Sequence, residues 1–233
     1  MSAAKQQILS SLRRSLRREQ PSAEDRVLLE QRLASPQANL VPQRAQIPHG
    51  EQLDLMERML KELSASVVRL ASDAEVPAAV ADYLKHENLP PKLRMAPRED
   101  LRALPWAGQP LLEVEEGIAE AADATSVTGA FAGIAETGTL MMASGPDAPV
   151  TLNFLPENHL VVLRASQVVG TYEEAWQRLR AARGRGVMPR AVNMITGPSR
   201  TGDIEQTILL GAHGPRRLHV LLIDDRDAVR TGD

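Results

Sequence analysis

Hydrophobic and polar positions change their pattern near residue 50. Before that point, Ile8, Leu12 and Leu16 recur at helical spacing among arginines, and a second, polar helix is predicted over Arg26–Leu33. Three prolines between residues 36 and 48 then disfavour both helix and central strand. We therefore predict that residues 1–50 form a helical and irregular arm that packs over a globular body or a neighbouring subunit. The small apolar face of the first helix favours packing over membrane contact.

From residue 51 onward, continuous apolar runs alternate with helical repeats. The predicted strands are Ser66–Leu70, Lys92–Met95, Leu111–Val114, Thr125–Thr128, Gly138–Ser144, Leu160–Leu163, Ala191–Thr196 and Leu218–Ile223. The predicted helices are Leu53–Leu63, Val76–Lys85, Pro97–Leu104, Gly129–Ala135, Thr171–Ala182 and Thr201–Leu210, with a helical turn or two over Glu115–Ala122. This order predicts an α/β fold with a mostly parallel sheet and helices on both faces. We expect a single domain over residues 51–224 and a polar tail over residues 225–233.

Composition narrows the classes of function. Hydrophobic residues make up 43% of the chain and aromatic residues only 3%, so an aliphatic core is expected. The absence of cysteine excludes disulfides, thiolate zinc sites and cysteine-bound iron–sulfur clusters from this chain, and it fits a reducing, cytoplasmic compartment. A net charge of −3 gives no reason to expect nucleic acid as a partner. No apolar run reaches the roughly 20 residues of a membrane helix, so no membrane partner is expected either.

The richest polar loop follows the predicted strand Ala191–Thr196. It contains Gly197, Ser199, Arg200, Thr201 and Asp203. If Thr201 caps a helix, free N–H groups at the helix start together with Arg200 would bind a phosphate or carboxylate. A well-capped turn whose polar groups satisfy only the backbone explains the same residues equally well. The loop lacks the residues of a Walker A motif and of a dinucleotide-binding fingerprint, and no cofactor is predicted.

A second cluster joins Glu136 to Thr137, Gly138 and Thr139. A carboxylate in this position could act as a base, as a nucleophile or as the acceptor of a substrate hydroxyl. It could also accept backbone N–H groups and brace the turn, as acidic residues in turns usually do. Both interpretations remain open on the sequence alone.

Two histidines complete the candidate set. His159 directly precedes the predicted strand Leu160–Leu163, and His213 lies in a Gly-Ala-His-Gly-Pro turn. As a pair they could transfer protons near neutral pH, although loop histidines more often make structural hydrogen bonds. The spacing matches no known metal motif, so no metal site is predicted. The arginines at 178, 180, 183, 185 and 190 favour a solvated helix face over a patch for a partner.

Four motifs in order give the sequence a family resemblance. They are Gly133–Thr139, the Leu-Pro-x-x-His of 155–159, Gly197–Glu205 and the Gly-x-His-Gly-Pro of 211–215. Together they resemble the LUD-domain family, of the lactate-utilisation protein C type, over roughly residues 50–224. The resemblance implies a fold similar to glucosamine-6-phosphate deaminase, ribose-5-phosphate isomerase and the CoA transferases. It also implies a role in a three-component cytoplasmic system that oxidises L-lactate to pyruvate and whose partner subunits carry iron–sulfur clusters.

The resemblance leaves two functions open. The first is a subunit without iron–sulfur clusters that binds a small carboxylate or a partner protein. The second is an independent isomerase or CoA/acyl-transferase-like enzyme that uses Glu136. Because the loops at 136–139, 197–203 and 211–215 all adjoin predicted strand ends, we expect them to meet in one cleft that takes a small anion.

Overall fold

The computed structural model describes residues 3–17, 20–38, 40–184, 186–202, 208–211 and 213–225. The chain divides into two compact units, Met1–Asn39 and Leu40–Asp233. The first unit contains helices α1 (Ala3–Ser15) and α2 (Ala23–Ala34). Neither helix buries a residue, and Ser22 caps α2 by accepting a hydrogen bond from the backbone N–H of Asp25. No helix in the described ranges is long and apolar enough to cross a membrane.

The second unit is built on a six-stranded, all-parallel sheet. Its order is β1 (Ser66–Leu70), β12 (Arg217–Ile223), β7 (Asn158–Arg164), β4 (Thr125–Gly129), β2 (Lys92–Met95) and β3 (Glu113–Glu116). The helices of this unit are α3 (His49–Glu62), α4 (Val76–His86), α5 (Glu99–Arg102) and α6 (Tyr172–Arg183). This arrangement confirms the predicted α/β class and the parallel sheet.

Both faces of the parallel sheet are buried, which explains its continuous apolar strands. Along β7, Val161 and Leu163 pack with α3 on one face, whereas Leu160 and Val162 pack with α4 on the other. In α3, Met56 is fully buried, and burying a side chain of this size stabilises the fold by about 1.5–3 kcal/mol.

A second, smaller sheet covers the face on which α3 lies. Its order is β8 (Val168–Val169), β5 (Ala132–Ile134), β6 (Thr139–Ala143) and β9 (Val192–Ile195), and β5 and β6 form an antiparallel hairpin. Ile134 and Met141 of this sheet pack in one cluster with Leu179 of α6. The β5–β6 hairpin is therefore enclosed between the main core and α6.

Three helical predictions are wrong. Gly129–Ala135 was predicted as a helix, but it contains the end of β4 and all of β5. Glu115 and Glu116 lie in β3 instead of a helical turn. In place of a helix over Thr201–Leu210, the described residues form the antiparallel pair β10 (Arg200–Gly202) and β11 (Ile208–Leu210). In each case pairing with another strand, which local periodicity does not reveal, decides the conformation.

The last turn of α3 packs closely against the β5–β6 turn. Gly138 has φ = +64°, and a Cβ atom there would lie 2.8 Å from Leu60 N and 2.9 Å from Met59 C. Only glycine combines this backbone conformation with so close an approach. The contact therefore requires glycine at position 138.

We predict that Gly138→Ala lowers the free energy of unfolding by about 3 kcal/mol, because it adds backbone strain to a clash with α3. Gly50→Ala is the matched control. Gly50 lies in α3 with nothing within 4 Å of an added Cβ, so alanine should stabilise the protein by up to about 1 kcal/mol. Urea denaturation of both variants measures the difference, and equal stabilities would contradict the proposed contact.

Candidate functional site

The predicted polar loops at 197–203 and 211–215 meet at the amino-terminal edge of the parallel sheet. The 213–215 turn leads directly into β12, and Pro215 O accepts a hydrogen bond from Ser199 N at 2.9 Å. The backbone N–H of His213 approaches Ser199 Oγ at 3.4 Å, and the His213 side chain is exposed. Gly197, with φ = +79°, lies so close to Leu63 that an added Cβ would be 2.8 Å from Leu63 O. The structure thus brings these two loops together beside the start of β1.

Four hydroxyl groups connect the third predicted loop, at 136–139, to the surface that the other two loops form. Thr139 Oγ1 lies 2.7 Å from Thr137 Oγ1, 2.9 Å from the Tyr172 hydroxyl and 2.7 Å from Thr196 Oγ1. Thr139 is fully buried, whereas Thr196 is exposed, so the cluster runs from the interior to the surface. We call Thr137, Thr139, Tyr172 and Thr196 the hydroxyl cluster. Sequence reasoning missed Tyr172, the first residue of α6, and Thr196, which directly follows β9.

Glu136 lies in the turn between β5 and β6, directly before Thr137, and is only 4% exposed. Its Oε1 accepts a hydrogen bond from the backbone N–H of Tyr172 at 3.0 Å, in the first turn of α6. The free N–H groups and the dipole of a helix start stabilise a carboxylate in this position. Oε2 is buried and has no hydrogen-bond partner in the part of the chain that the structure describes. Glu136 therefore braces α6 and keeps one oxygen free for a further contact.

Arg200 binds the carboxyl end of α3. Its Nη2 donates to Leu63 O at 2.7 Å and to Ser64 Oγ at 2.5 Å, where a positive charge also interacts favourably with the helix dipole. Thr201 lies in β10, so the expectation that it caps a helix with anion-binding N–H groups is wrong. Asp203 lies outside the described residues.

His159 lies within β7 instead of in the preceding loop. It is fully buried, its Nε2 lies 2.7 Å from Thr128 Oγ1, and its Nδ1 has no partner among the described residues. Burial lowers the pKa of His159 from 6.5 to about 3, so the ring is neutral at pH 7. Within the described ranges, no three His, Asp or Glu side chains are grouped to hold a metal ion.

The fold and the polar surface define a class of α/β protein. Its members have a parallel sheet, a buried glutamate in the β5–β6 turn and a cluster of hydroxyl groups beside it. A family model for the LUD domain matches residues 53–223, and the chain belongs to this family.

Curated relatives share parts of the sequence. An uncharacterised protein of Neisseria meningitidis is 41% identical over 96 residues, which span 41% of this chain and 40% of that protein. The lactate utilization protein C of Bacillus subtilis is 32% identical over 114 residues, or 48% of each chain. The lactate utilization protein C of Deinococcus radiodurans is 30% identical over 189 residues, which span 78% of this chain and 84% of that protein. The first two matches thus cover less than half of each relative.

A solved structure supports the fold. The crystal structure of a DUF162 family protein from Deinococcus radiodurans has a TM-score of 0.56 and 24% sequence identity to this chain. The comparison covers 76% of this chain and 99% of that one. At this identity the similarity establishes the architecture alone.

The buried imidazole of His159 predicts sensitivity to acid. Its folded pKa, about 3, lies below the value of 6.5 for an unperturbed histidine, so the unfolded chain binds a proton first as the pH falls. His159 therefore costs up to about 1.4 kcal/mol of stability per pH unit below pH 6.5. We predict that His159→Gln flattens the dependence of unfolding free energy on pH between about pH 6.5 and 4.

Urea denaturation across this pH range tests the prediction. Burial also lowers the pKa of His219, to about 4. This ring remains in the variant, so part of the pH dependence of the unfolding free energy remains as well. His49→Gln is the control, because it removes an exposed ring and leaves His159 in place. Parallel curves for wild type and His159→Gln would show that this ring does not cause the loss of stability in acid.

Proposed function

We propose that this protein is a component of a cytoplasmic system that oxidises L-lactate to pyruvate. The observation that carries the proposal is the 30% identity to the lactate utilization protein C of Deinococcus radiodurans over 84% of that protein's length. The chain has no cysteine with which to bind an iron–sulfur cluster. Electron transfer would therefore fall to partner subunits that carry the clusters, and this chain would bind a small carboxylate or those partners.

The chemistry of the amino-terminal edge suits a hydroxy acid. Thr196, Ser199 and Arg200 offer hydroxyl and guanidinium groups on exposed or half-buried side chains. A guanidinium pairs with a carboxylate, and threonine or serine hydroxyls can donate to or accept from a substrate hydroxyl. Lactate and pyruvate each carry a carboxylate beside a second oxygen, which matches this set of groups.

We predict that deleting the gene in the source organism abolishes growth on L-lactate as sole carbon source and leaves growth on pyruvate unchanged. The pyruvate arm isolates the oxidation step, because both substrates share all later metabolism. Expression of the wild-type chain should restore growth. Normal growth of the deletion strain on L-lactate would overturn the proposal.

The same strain tests the carboxylate site. Ser199→Ala combined with Arg200→Gln should fail to restore growth and should lose any heat of binding for L-lactate or pyruvate in calorimetry. Because Arg200 also binds the end of α3, the variant's unfolding curve must be recorded alongside. If the variant folds and restores full growth, Ser199 and Arg200 do not bind the carboxylate on which the system depends.

Glu136 supports a second candidate function, an independent isomerase or acyl transferase. The supporting observation is its buried carboxylate, which has one oxygen held by α6 and the other without a described partner. A desolvated carboxylate of this kind can act as a base or as a nucleophile. The lactate system remains the preferred function because a relative matched over most of its length is named for it.

We predict that Glu136→Gln abolishes any turnover detected with a panel of acyl-CoA thioesters and phosphosugars. Glutamine keeps the size of the side chain and an oxygen that can accept from Tyr172 N, so the fold should be retained. Thr137→Val is the control, since it alters the neighbouring hydroxyl cluster and leaves the carboxylate intact. Turnover that survives Glu136→Gln would exclude this carboxylate from catalysis.

A further inference from the structure

We propose that a cavity at the opposite end of the β5–β6 hairpin binds a small organic anion with at least two negative charges. The cavity has a volume of about 590 Å³ and is lined by residues of the 144–150 loop other than Asp147, together with Arg183, Arg190 and Ala191. We call it the outer cavity. Its volume falls within the range of about 300–1,000 Å³ that is typical of small-molecule sites.

The charge of the outer cavity selects an anion. The side chains of Arg183 and Arg190 are exposed and form no hydrogen bond or ion pair with any described residue. The residues that line the cavity include no Asp or Glu, and the one carboxylate of the 144–150 loop, that of Asp147, lies against Gly145. Six arginines around the parallel sheet differ from these two, because each of the six is paired with an Asp or Glu: Arg69, Arg94, Arg98, Arg102, Arg164 and Arg217. Two guanidiniums without a described acidic partner favour a ligand that supplies two negative charges.

The wall of the outer cavity is fixed in place. Ser144 N donates to Ala191 O at 3.0 Å, and Ala191 N donates to Ser144 Oγ at 2.8 Å. These bonds continue the β6–β9 pairing and hold the backbone next to Arg190. Pro146, Pro149 and other apolar residues form the remaining wall, which favours an organic ligand over a bare inorganic ion.

The outer cavity adjoins the switch point of the parallel sheet. The chain leaves β2 toward β3 on one side and leaves β4 toward β7 on the other, so the connections diverge between β2 and β4. Ligands of open α/β sheets bind beyond the carboxyl ends of the strands at such a switch point. Arg98 lies there, between β2 and β4, and donates from Nη1 to Gly129 O at 3.2 Å. Ala148 and Pro149 line both the space beside Arg98 and the outer cavity, so the two adjoin.

Isothermal titration calorimetry with citrate and with glycerol 3-phosphate tests the proposal, because these probes carry their charges on carboxylates and on a phosphate ester. At least one of them should bind the wild-type chain with a Kd on the order of 1 mM or lower, and acetate should bind at least about tenfold more weakly. Arg183→Gln with Arg190→Gln should weaken that binding about tenfold or more.

The matched control is Arg58→Gln with Arg178→Gln, which removes two positive charges from residues that do not line the cavity. It should leave the affinity within about twofold of wild type, since only a general charge effect would lower it. Equal affinity in the two double variants, or no binding of either probe at about 10 mM, would overturn the proposal. Neither variant alters Ser199, Arg200 or Glu136, so the outcome is independent of the function proposed above.

Discussion

The carboxyl end of α3 is the point on which the candidate site depends. Gly138 and Gly197, from two separate loops, both pack so closely on this turn that an added Cβ would collide with its backbone. Arg200 then binds Leu63 O and Ser64 Oγ in the same turn. Three contacts on one helix end thus position two loops that are distant in sequence. The buried face of α3 in turn fixes that helix end against the sheet.

The sequence was sufficient for the parts of the fold where burial alone decides the structure. The run Leu160–Leu163 is apolar at every position because β7 is covered on both faces, and it was correctly predicted as a strand. A helix over Thr171–Ala182 was also correctly predicted, and the Thr171 hydroxyl caps α6 by accepting a hydrogen bond from Glu174 N. Gly129–Ala135 has no polar position to reveal a period, so its pairing with β6 and β8 could be found only in three dimensions. The β10 and β11 strands are too short to show a pattern at all.

The candidate site could be predicted only in part, because strand pairing cannot be read from the local sequence. Ser199 and His213 could be grouped from the sequence, because each loop adjoins a strand end. Thr196 and Tyr172 could not, since they join Thr139 only through the β6–β9 pairing and the packing of α6. His159 adjoins a loop in the sequence, yet β7 already begins at Asn158 and the sheet encloses the ring. Local sequence identifies polar loops, whereas strand pairing decides which side chains meet.

The β5–β6 hairpin connects the two polar regions of the second unit. Its turn carries Glu136 and Gly138, and its open end leads through Ala143 into the wall of the outer cavity. All of β5 and most of β6 are buried between the main core and α6, so neither end can shift without disturbing that packing. The two ends also differ in chemistry, with hydroxyls and a desolvated carboxylate at the turn and guanidiniums at the open end. A single rigid hairpin therefore holds two polar environments of different chemistry, and it fixes the distance between them.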